Sequence, residues 1–254
     1  MEQEKSKFVS DVTVLGKDGG EFSLSYETIT FLDNGCFHIY GDGTLTIETV
    51  VNQKDSGLCP YEIRVFGNRG EDGCDSIHGE DGGEGKEGTP TEVEIRIGTL
   101  KDSIRVIGEG GAGGRGGNGM DGPGGGDGGD AAPAEEGRAD ACVAKGGQGG
   151  DGGPGKGRGG KGGKGGKGPA VKILFGKKEE GAEIQTSLLC SKGGEGGRGG
   201  RGGQGGRGGK NSDGSRARDG KEGRSCADGQ PGRAGEKGEI TVGVWEKGGA
   251  DHES

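Results

Sequence analysis

Large apolar side chains are scarce in this sequence. Only 25% of the 254 residues are hydrophobic and 4% are aromatic, whereas 70 residues are glycine, far above the usual glycine share of about 7%. A core packed from Val, Ile, Leu and Phe must therefore be small. Glycine also loses more backbone entropy on folding than any other residue. Either a special backbone arrangement orders the glycines, or much of the chain is disordered.

Segments that would direct the chain to a membrane or out of the cell are also missing. The first eleven residues hold no apolar stretch of a secretory signal. No run approaches the roughly 18 apolar residues of a membrane span. We therefore expect a cytoplasmic or otherwise intracellular protein with no membrane partner. Its six cysteines form no CxxC pair and are expected to be free thiols.

Motifs for catalysis are absent as well. The sequence has no GxxxxGK[ST] phosphate loop and no GxSxG elbow. Its carboxylates lie in no visible apolar setting that would shift their pKa. Two close Cys/His pairs, Cys36 with His38 and Cys74 with His78, match no zinc-finger spacing. The sequence predicts no enzyme, no catalytic residue, no cofactor and no small-molecule substrate.

Glycine recurs at every third residue in five blocks. The strictest block is GGEGGRGGRGGQGGRGG at 193–209, and the others begin near residues 67, 108, 146 and 214. Three residues make one turn of a polyproline-II helix, so every third residue lies on one side of it. Neighbouring backbones can approach a glycine side closely and exchange the hydrogen bonds that buried peptide groups require. A flexible glycine linker is the alternative reading.

Ten short segments between these blocks alternate apolar and polar residues, which is typical of half-buried β-strands. They are 8–15, 21–32, 36–40, 44–51, 61–66, 91–97, 103–107, 170–175, 183–189 and 239–245. No segment carries a helical stripe. The predicted fold is all-β: a sheet or sandwich of short strands, with inserted polyglycine-II helices packed as a bundle and little or no α-helix.

Three regions are predicted along the chain. Residues 1–66 form a β-rich N-terminal region that holds eight of the ten aromatic residues. Residues 67–247 form the glycine-repeat polyglycine-II region interleaved with strands. Residues 248–254 are expected to form a flexible tail, and residues 130–144, which break the period, are expected to form a loop.

The glycine blocks resemble those of known polyglycine-II proteins. GGQGGDGGPG and GGRGGRGGQGG are similar to blocks in the N-terminal domain of the Obg family of ribosome-associated GTPases, which joins glycine-rich rods to a β-sheet core. Springtail antifreeze proteins and the glycine-rich tips of phage tail adhesins share the pattern. The resemblance implies a rod bundle on a β core. It covers about half of the chain, which has no GTPase half and more charges than an ice-binding face. A collagen triple helix is excluded by the 7 prolines.

Charge is divided unevenly along the chain. Residues 1–144 carry 12 Lys and Arg against 28 Asp and Glu, and the remainder carries 21 against 14. This asymmetry favours self-complementary packing or a basic face for an anionic partner. The candidate partner-binding or anion-binding residues lie at the third position of glycine triplets: Arg115, Arg158, Lys161, Lys164, Lys167, Arg198, Arg201 and Arg207.

Calcium ligands are a further hypothesis. GGNGMD and GGQGGD match the first half of a calcium-binding β-helix repeat, which makes Asp121 and Asp151 candidates, with Asp127 nearby. The copies are not contiguous, so the sequence assigns no metal.

The sequence thus predicts a non-catalytic scaffold or binding protein that presents rows of charged side chains to a protein partner or to itself. One alternative is a partly disordered RGG-type RNA-binding protein, whose arginines would neutralise phosphates. RGG segments usually interleave aromatic residues for base stacking, and no aromatic residue lies between Phe66 and Phe175. A host-recognition or ice-binding rod is the other alternative.

Overall fold

Eleven β-strands and no helix make up the regular structure of the described residues in the computed structural model. The description covers residues 3–16, 20–32, 35–52, 61–132 and 144–245. The strands are β1 (Gln3–Val9), β2 (Val12–Leu15), β3 (Phe22–Phe31), β4 (Cys36–Tyr40), β5 (Gly43–Asn52), β6 (Tyr61–Phe66), β7 (Glu92–Leu100), β8 (Ile104–Glu109), β9 (Ala170–Lys178), β10 (Ile184–Leu189) and β11 (Glu239–Val244).

The strands build two parallel sheets between which the chain alternates. The odd sheet has the order β1-β3-β5-β7-β9-β11, and the even sheet has the order β10-β8-β6-β4-β2. Each odd strand and the even strand after it therefore form one coil, and successive coils stack by parallel pairing, as in a β-solenoid. The last coil is incomplete, because β11 has no following even strand among the described residues.

The core lies between the two sheets. Because parallel pairing places equivalent residues side by side, inward side chains form columns along the stack. Leu45, Ile95 and Ile173 form one such column in the odd sheet, and all three are fully buried. Phe37, Ile63 and Val106 form its counterpart in the even sheet. β-Branched residues suit this half-buried, pleated surface, which explains why a short apolar alternation is sufficient for each strand.

The all-β prediction is confirmed, and all ten alternating segments contain strands. One detail was wrong: residues 8–15 are not one strand, because the chain turns at Ser10 and Asp11 and passes from the odd to the even sheet. Period-two alternation marks both strands equally and carries no signal for a two-residue corner. The strands of the predicted region 1–66 and those interleaved within 67–247 belong to the same two sheets. The tail at 248–254 and most of the loop predicted at 130–144 lie outside the described residues.

The glycine blocks occupy equivalent corners of three successive coils. Residues 67–91, 110–169 and 190–238 each connect an even strand to the next odd strand. We call the first halves of these connections the outgoing segments (67–76, 110–132 and 191–210). The second halves are the returning segments (80–89, 144–169 and 216–238). The outgoing segments follow β6, β8 and β10, so they lie side by side in the same order as these even strands. The returning segments lead into the odd strands β7, β9 and β11.

Backbone hydrogen bonds with a three-residue period join these segments. Within the outgoing layer, Gly116 and Gly119 N–H donate to the carbonyls of Glu195 and Arg198, at 2.8 and 2.7 Å. The second returning segment is bonded to the segments of both layers. It donates from Gly160 to Gly117 and from Gly162 to Gln230, at 2.8 and 2.9 Å. Neighbours within a layer run parallel, whereas neighbours in different layers run antiparallel.

Close backbone approach explains the glycines. A Cβ added at Gly163 or Gly197 would fall far inside 3.0 Å of a backbone carbonyl on a neighbouring segment. Gly126 and Gly129 lie on the open side of the second outgoing segment, and a Cβ there would meet no atom within 4 Å. The third residue of each triplet lies outside these closest backbone contacts, so that position has room for a side chain.

Candidate functional site

The eight basic residues predicted as binding candidates are all exposed. They do not form one patch. Arg115, Arg198, Arg201 and Arg207 lie in the outgoing layer, whereas Arg158, Lys161, Lys164 and Lys167 lie in the second returning segment. The first set spans two segments of its layer, and the second set occupies one segment.

Acidic residues stand beside the basic row of the third outgoing segment. Carboxylates of the second outgoing segment accept hydrogen bonds from backbone N–H groups in the third. Asp121 accepts from Arg201 at 2.8 Å, Asp127 from Arg207 at 2.7 Å, and Asp130 from Lys210 at 2.7 Å. Each pair is separated by 80 residues, so one constant register relates the two segments. These aspartates satisfy the outward N–H groups that glycine contacts leave unpaired.

The same contact recurs elsewhere in both layers. Asp72 accepts from the backbone N–H of Arg115 at 2.8 Å, and Asp81 accepts from that of Arg158 at 2.6 Å. Asp75 accepts from Asn118 N–H at 2.6 Å, and this bond holds the pKa of Asp75 below its usual value. In most of these contacts the donor residue is Arg or Lys. A carboxylate row and a cationic row therefore lie next to each other.

The side chains of the basic candidates differ in their ion pairing. The ammonium group of Lys164 lies 3.3 Å from carboxylate oxygens of both Glu236 and Glu87. The hydrogen bonds that it donates to Glu236 and then to Glu87 raise the pKa of Lys164. In contrast, the guanidinium groups of Arg198, Arg201 and Arg207 make no ion pair with any described residue. The other four candidates, Arg115, Arg158, Lys161 and Lys167, likewise make no ion pair with any described residue.

The candidate calcium ligands take part in the backbone contacts described above. Asp121 and Asp127 bind N–H groups of the third outgoing segment, and Asp151 accepts from Lys221 N–H at 2.8 Å. Over the described residues, no group of three or more His, Cys, Asp or Glu side chains is placed to hold a metal ion. Sequence reasoning missed the acceptor role of these aspartates. Its signal is that Asp121, Asp127 and Asp130 share one triplet register.

The third returning segment closes one edge of the glycine block. Its side chains accept from N–H groups of the third outgoing segment that have no further segment to bond. Asp219 accepts from Gly208 at 2.7 Å, Ser225 from Gly202 at 3.0 Å, and Asp228 from Gly199 at 2.8 Å. Side chains at these positions block another backbone from approaching, much as charged residues protect the edge of a β-sheet.

The two edges of the block carry opposite charge. The first outgoing and returning segments, with the turn between them (67–89), hold two basic and seven acidic residues. The last pair with its turn (191–238) holds eleven basic and six acidic residues. The charge asymmetry read from the sequence thus becomes an asymmetry across the block.

Four cysteines among the described residues are free thiols: Cys36, Cys74, Cys190 and Cys226. Burial, opposed by the neighbouring Arg64, raises the pKa of Cys36. The described part of the chain contains no helix of the length and hydropathy that a membrane span needs.

Comparisons with known proteins give few parallels. No protein-family model matches the chain, and no curated protein matches it. One similar solved structure is the nine polyproline type II helical bundle antifreeze protein of the springtail Granisotoma rainieri. It is 26% identical over 69% of this chain and 96% of that chain, with a TM-score of 0.15. At that TM-score the two backbones do not superimpose, so the likeness carries no argument about fold or function.

Proposed function

We propose that this chain is a non-catalytic scaffold in which a β-solenoid anchors a polyglycine-II bundle, and that the bundle presents rows of charged side chains to a protein partner. The carrying observation is the three-residue hydrogen-bond register that links the glycine segments. Three residues per turn is the period of a polyproline-II helix, and glycines stand at most of the positions where two backbones meet.

Regular spacing supports the scaffold interpretation. A polyproline-II helix rises about 3.1 Å per residue, so side chains three residues apart repeat roughly every 9 Å. Arg198, Arg201 and Arg207 follow this repeat along one exposed row, with Asp121 and Asp127 beside it. A partner with complementary alternating charge would match both rows, which favours a folded protein surface over a uniformly anionic polymer.

The closed edge argues for a partner other than a second glycine block. Asp219, Ser225 and Asp228 occupy the space that another segment would need in order to extend the lattice. RNA binding stays the alternative, since the arginine row has free guanidinium groups. Against it, the aspartate row lowers the positive potential that phosphates require, and no aromatic side chain is available in the row for base stacking.

Capture with row variants tests this proposal. The protein would be immobilised and incubated with extract of the cells that produce it, with and without ribonuclease. The row variant is Arg198→Gln/Arg201→Gln/Arg207→Gln. Its matched control is Lys145→Gln/Lys177→Gln/Lys178→Gln, which removes the same charge from exposed residues outside that row. We expect the unchanged protein to capture a partner protein with and without ribonuclease. The control variant should still capture this partner, and the row variant should not.

Two results would contradict the proposal. Loss of capture on ribonuclease treatment would make RNA the partner. Equal capture by the row variant and the control would remove the arginine row from any binding role. Thermal unfolding of both variants, measured in parallel, separates a binding defect from a folding defect.

A further inference from the structure

A cleft lies where the even sheet gives way to the outgoing layer. It has a volume of 780 Å³, and its floor is backbone at Gly67, Gly110 and Gly111. A Cβ added at Gly67 or Gly111 would point into neighbouring backbone rather than into the cleft. The glycine packing that builds the layer therefore also leaves a floor free of side chains, with walls formed by the residues on either side of it.

One wall of the cleft is aromatic. The rings of Tyr40 and Phe66 are stacked, with centroids 4.7 Å apart and an interplanar angle of 9°, and His38 meets Phe66 edge-on at 5.2 Å. The residue level with Tyr40 is Gly16, which directly follows β2, because Leu15 at the end of β2 pairs with Ile39. Gly16 has no side chain, so nothing on β2 continues the stack, and nearby Val14 is 47% exposed.

The lining of the cleft also includes two cationic residues, Arg69 and Lys192, together with the small Ala112. We call Arg69 and Lys192 the cationic wall. Arg69 is held by Asp72 at 2.6 Å, whereas the ammonium group of Lys192 makes no ion pair with any described residue. Glu109 on β8 pairs with Phe66 on β6 and adds one carboxylate to the lining.

We propose that this cleft binds an acidic saccharide. A pyranose ring has an apolar C–H face that packs against an aromatic ring, and an anionic substituent on the sugar would pair with Lys192 and Arg69. The Glu109 carboxylate would accept hydrogen bonds from sugar hydroxyls. Sugar hydroxyls offer this carboxylate hydrogen-bond donors, whereas a phosphodiester group offers it none, which favours the saccharide over a nucleic acid. A few convergent polar groups beside an apolar surface are typical of ligand sites.

The probe for the test is tetragalacturonate, titrated calorimetrically into the full chain. Its methyl ester is the neutral counterpart with the same sugar rings, and a thymidine tetranucleotide supplies an anionic chain with aromatic bases. We expect saturable binding of the acid, and binding at least about tenfold weaker for the ester, since tenfold corresponds to one lost charge-assisted contact. The tetranucleotide is expected to bind more weakly than the acid.

Variants locate the binding. Lys192→Gln should weaken the affinity for tetragalacturonate about five- to tenfold. Tyr40→Leu keeps an apolar side chain, removes the ring and should weaken it about three- to tenfold. Lys210→Gln removes an exposed charge from the far end of the same segment and should leave the affinity unchanged. Unfolding midpoints confirm that each variant is folded.

Several outcomes would overturn the proposal. Absence of heat with the acid at millimolar concentration, at two temperatures between which the binding enthalpy must change, overturns the proposal. Equal affinity for the ester shows that the cationic wall has no role. Tighter binding of the tetranucleotide reassigns the cleft to nucleic acid. A loss with Lys210→Gln that equals the loss with Lys192→Gln places the binding outside the cleft.

Discussion

The strands and the glycine segments solve the same packing problem in opposite ways. Between the sheets, buried side chains such as Ile97 and Phe37 fill the space, and backbones stay apart. In the glycine block no side chain separates the segments, and backbones contact each other directly. The first region is stabilised mainly by apolar burial, and the second mainly by hydrogen bonds between peptide groups. Stability in the strands therefore depends on side chains that are present, and in the block on side chains that are absent.

Truncating a core side chain gives the largest expected effect. Ile97 is fully buried, and Val244 lies in the same inward column on the last strand, where it is 66% exposed. Ile97→Ala should cost about 2–5 kcal/mol of unfolding free energy, and Val244→Ala less than about 1 kcal/mol. Denaturant unfolding measures both. Similar losses at the two positions would contradict the assignment of the core to the space between the sheets.

Adding one methyl group to the glycine block comes next. A Cβ at Gly125 would collide with the carbonyl of Gly150, whereas a Cβ at the adjacent Gly126 would meet nothing within 4 Å. Gly125→Ala should destabilise by about 1–3 kcal/mol, as overpacking does. Gly126→Ala should be neutral or stabilise by up to about 1 kcal/mol, because it restricts the unfolded chain. The two variants differ only in which side of one segment carries the methyl group, and equal effects would exclude close backbone packing.

The aspartate contacts give a smaller effect. Asp127→Ala leaves the N–H of Arg207 without its acceptor and should cost about 0.5–1.5 kcal/mol. Asp127→Asn keeps an acceptor oxygen, as Asn118 does toward Arg198 N–H at 2.9 Å, and should restore most of the loss. Thermal unfolding of both variants checks this, and failure of the Asn variant to rescue would mean that charge, not the hydrogen bond, matters at this position.

Protonation of His38 gives the smallest effect. Burial, and then the nearby Arg64, lower the pKa of His38, with Glu62 opposing them. The folded state therefore holds neutral histidine, and the unfolded chain takes up the proton first as pH falls through about 6.5. The free energy of unfolding should therefore decrease as pH falls below that value, and this decrease should end once the pH is below the lowered pKa of His38 in the folded protein. On acidification the melting temperature of the wild type should fall further than that of His38→Gln, and the difference should be less than about 2 °C. A smaller fall in the wild type than in the variant would mean that the pKa of His38 is raised, not lowered, in the folded state.

The same comparison explains what could be read from the sequence. Strands such as β4 and β6 were predictable because the alternation of apolar and polar residues depends only on which side chain faces the core. Pairing partners were not, since the parallel order of β4 and β6 depends on coils that bring residues about 26 apart into register. The glycine period indicated contact faces, and the basic third positions indicated exposure. The aspartate acceptors were missed, because an 80-residue offset between Asp127 and Arg207 becomes visible only after both segments are placed.

The cleft at Tyr40 and Lys192 was missed for a related reason. These residues are separated by most of the chain, and neither stands in a recognisable motif. The sequence placed Tyr40 only within the β-rich region 1–66, and its side chain lies on the outer face of the even sheet beside Phe66. Only the stacking of coils brings the aromatic pair Tyr40 and Phe66 into one cleft with Arg69 and Lys192.

Amide hydrogen exchange in the second returning segment tests whether backbone hydrogen bonds join the glycine segments. The N–H groups of Gly159, Gly160, Gly162, Gly163, Gly165 and Gly166 donate to neighbouring segments, whereas no described acceptor bonds the N–H groups of Lys161, Lys164 and Lys167. We predict slow exchange at the six glycines and fast exchange at the three lysines, resolved residue by residue by nuclear magnetic resonance. Uniformly fast exchange across 159–168 would contradict this prediction, because the glycine block would then lack the hydrogen-bonded register on which the proposed scaffold depends.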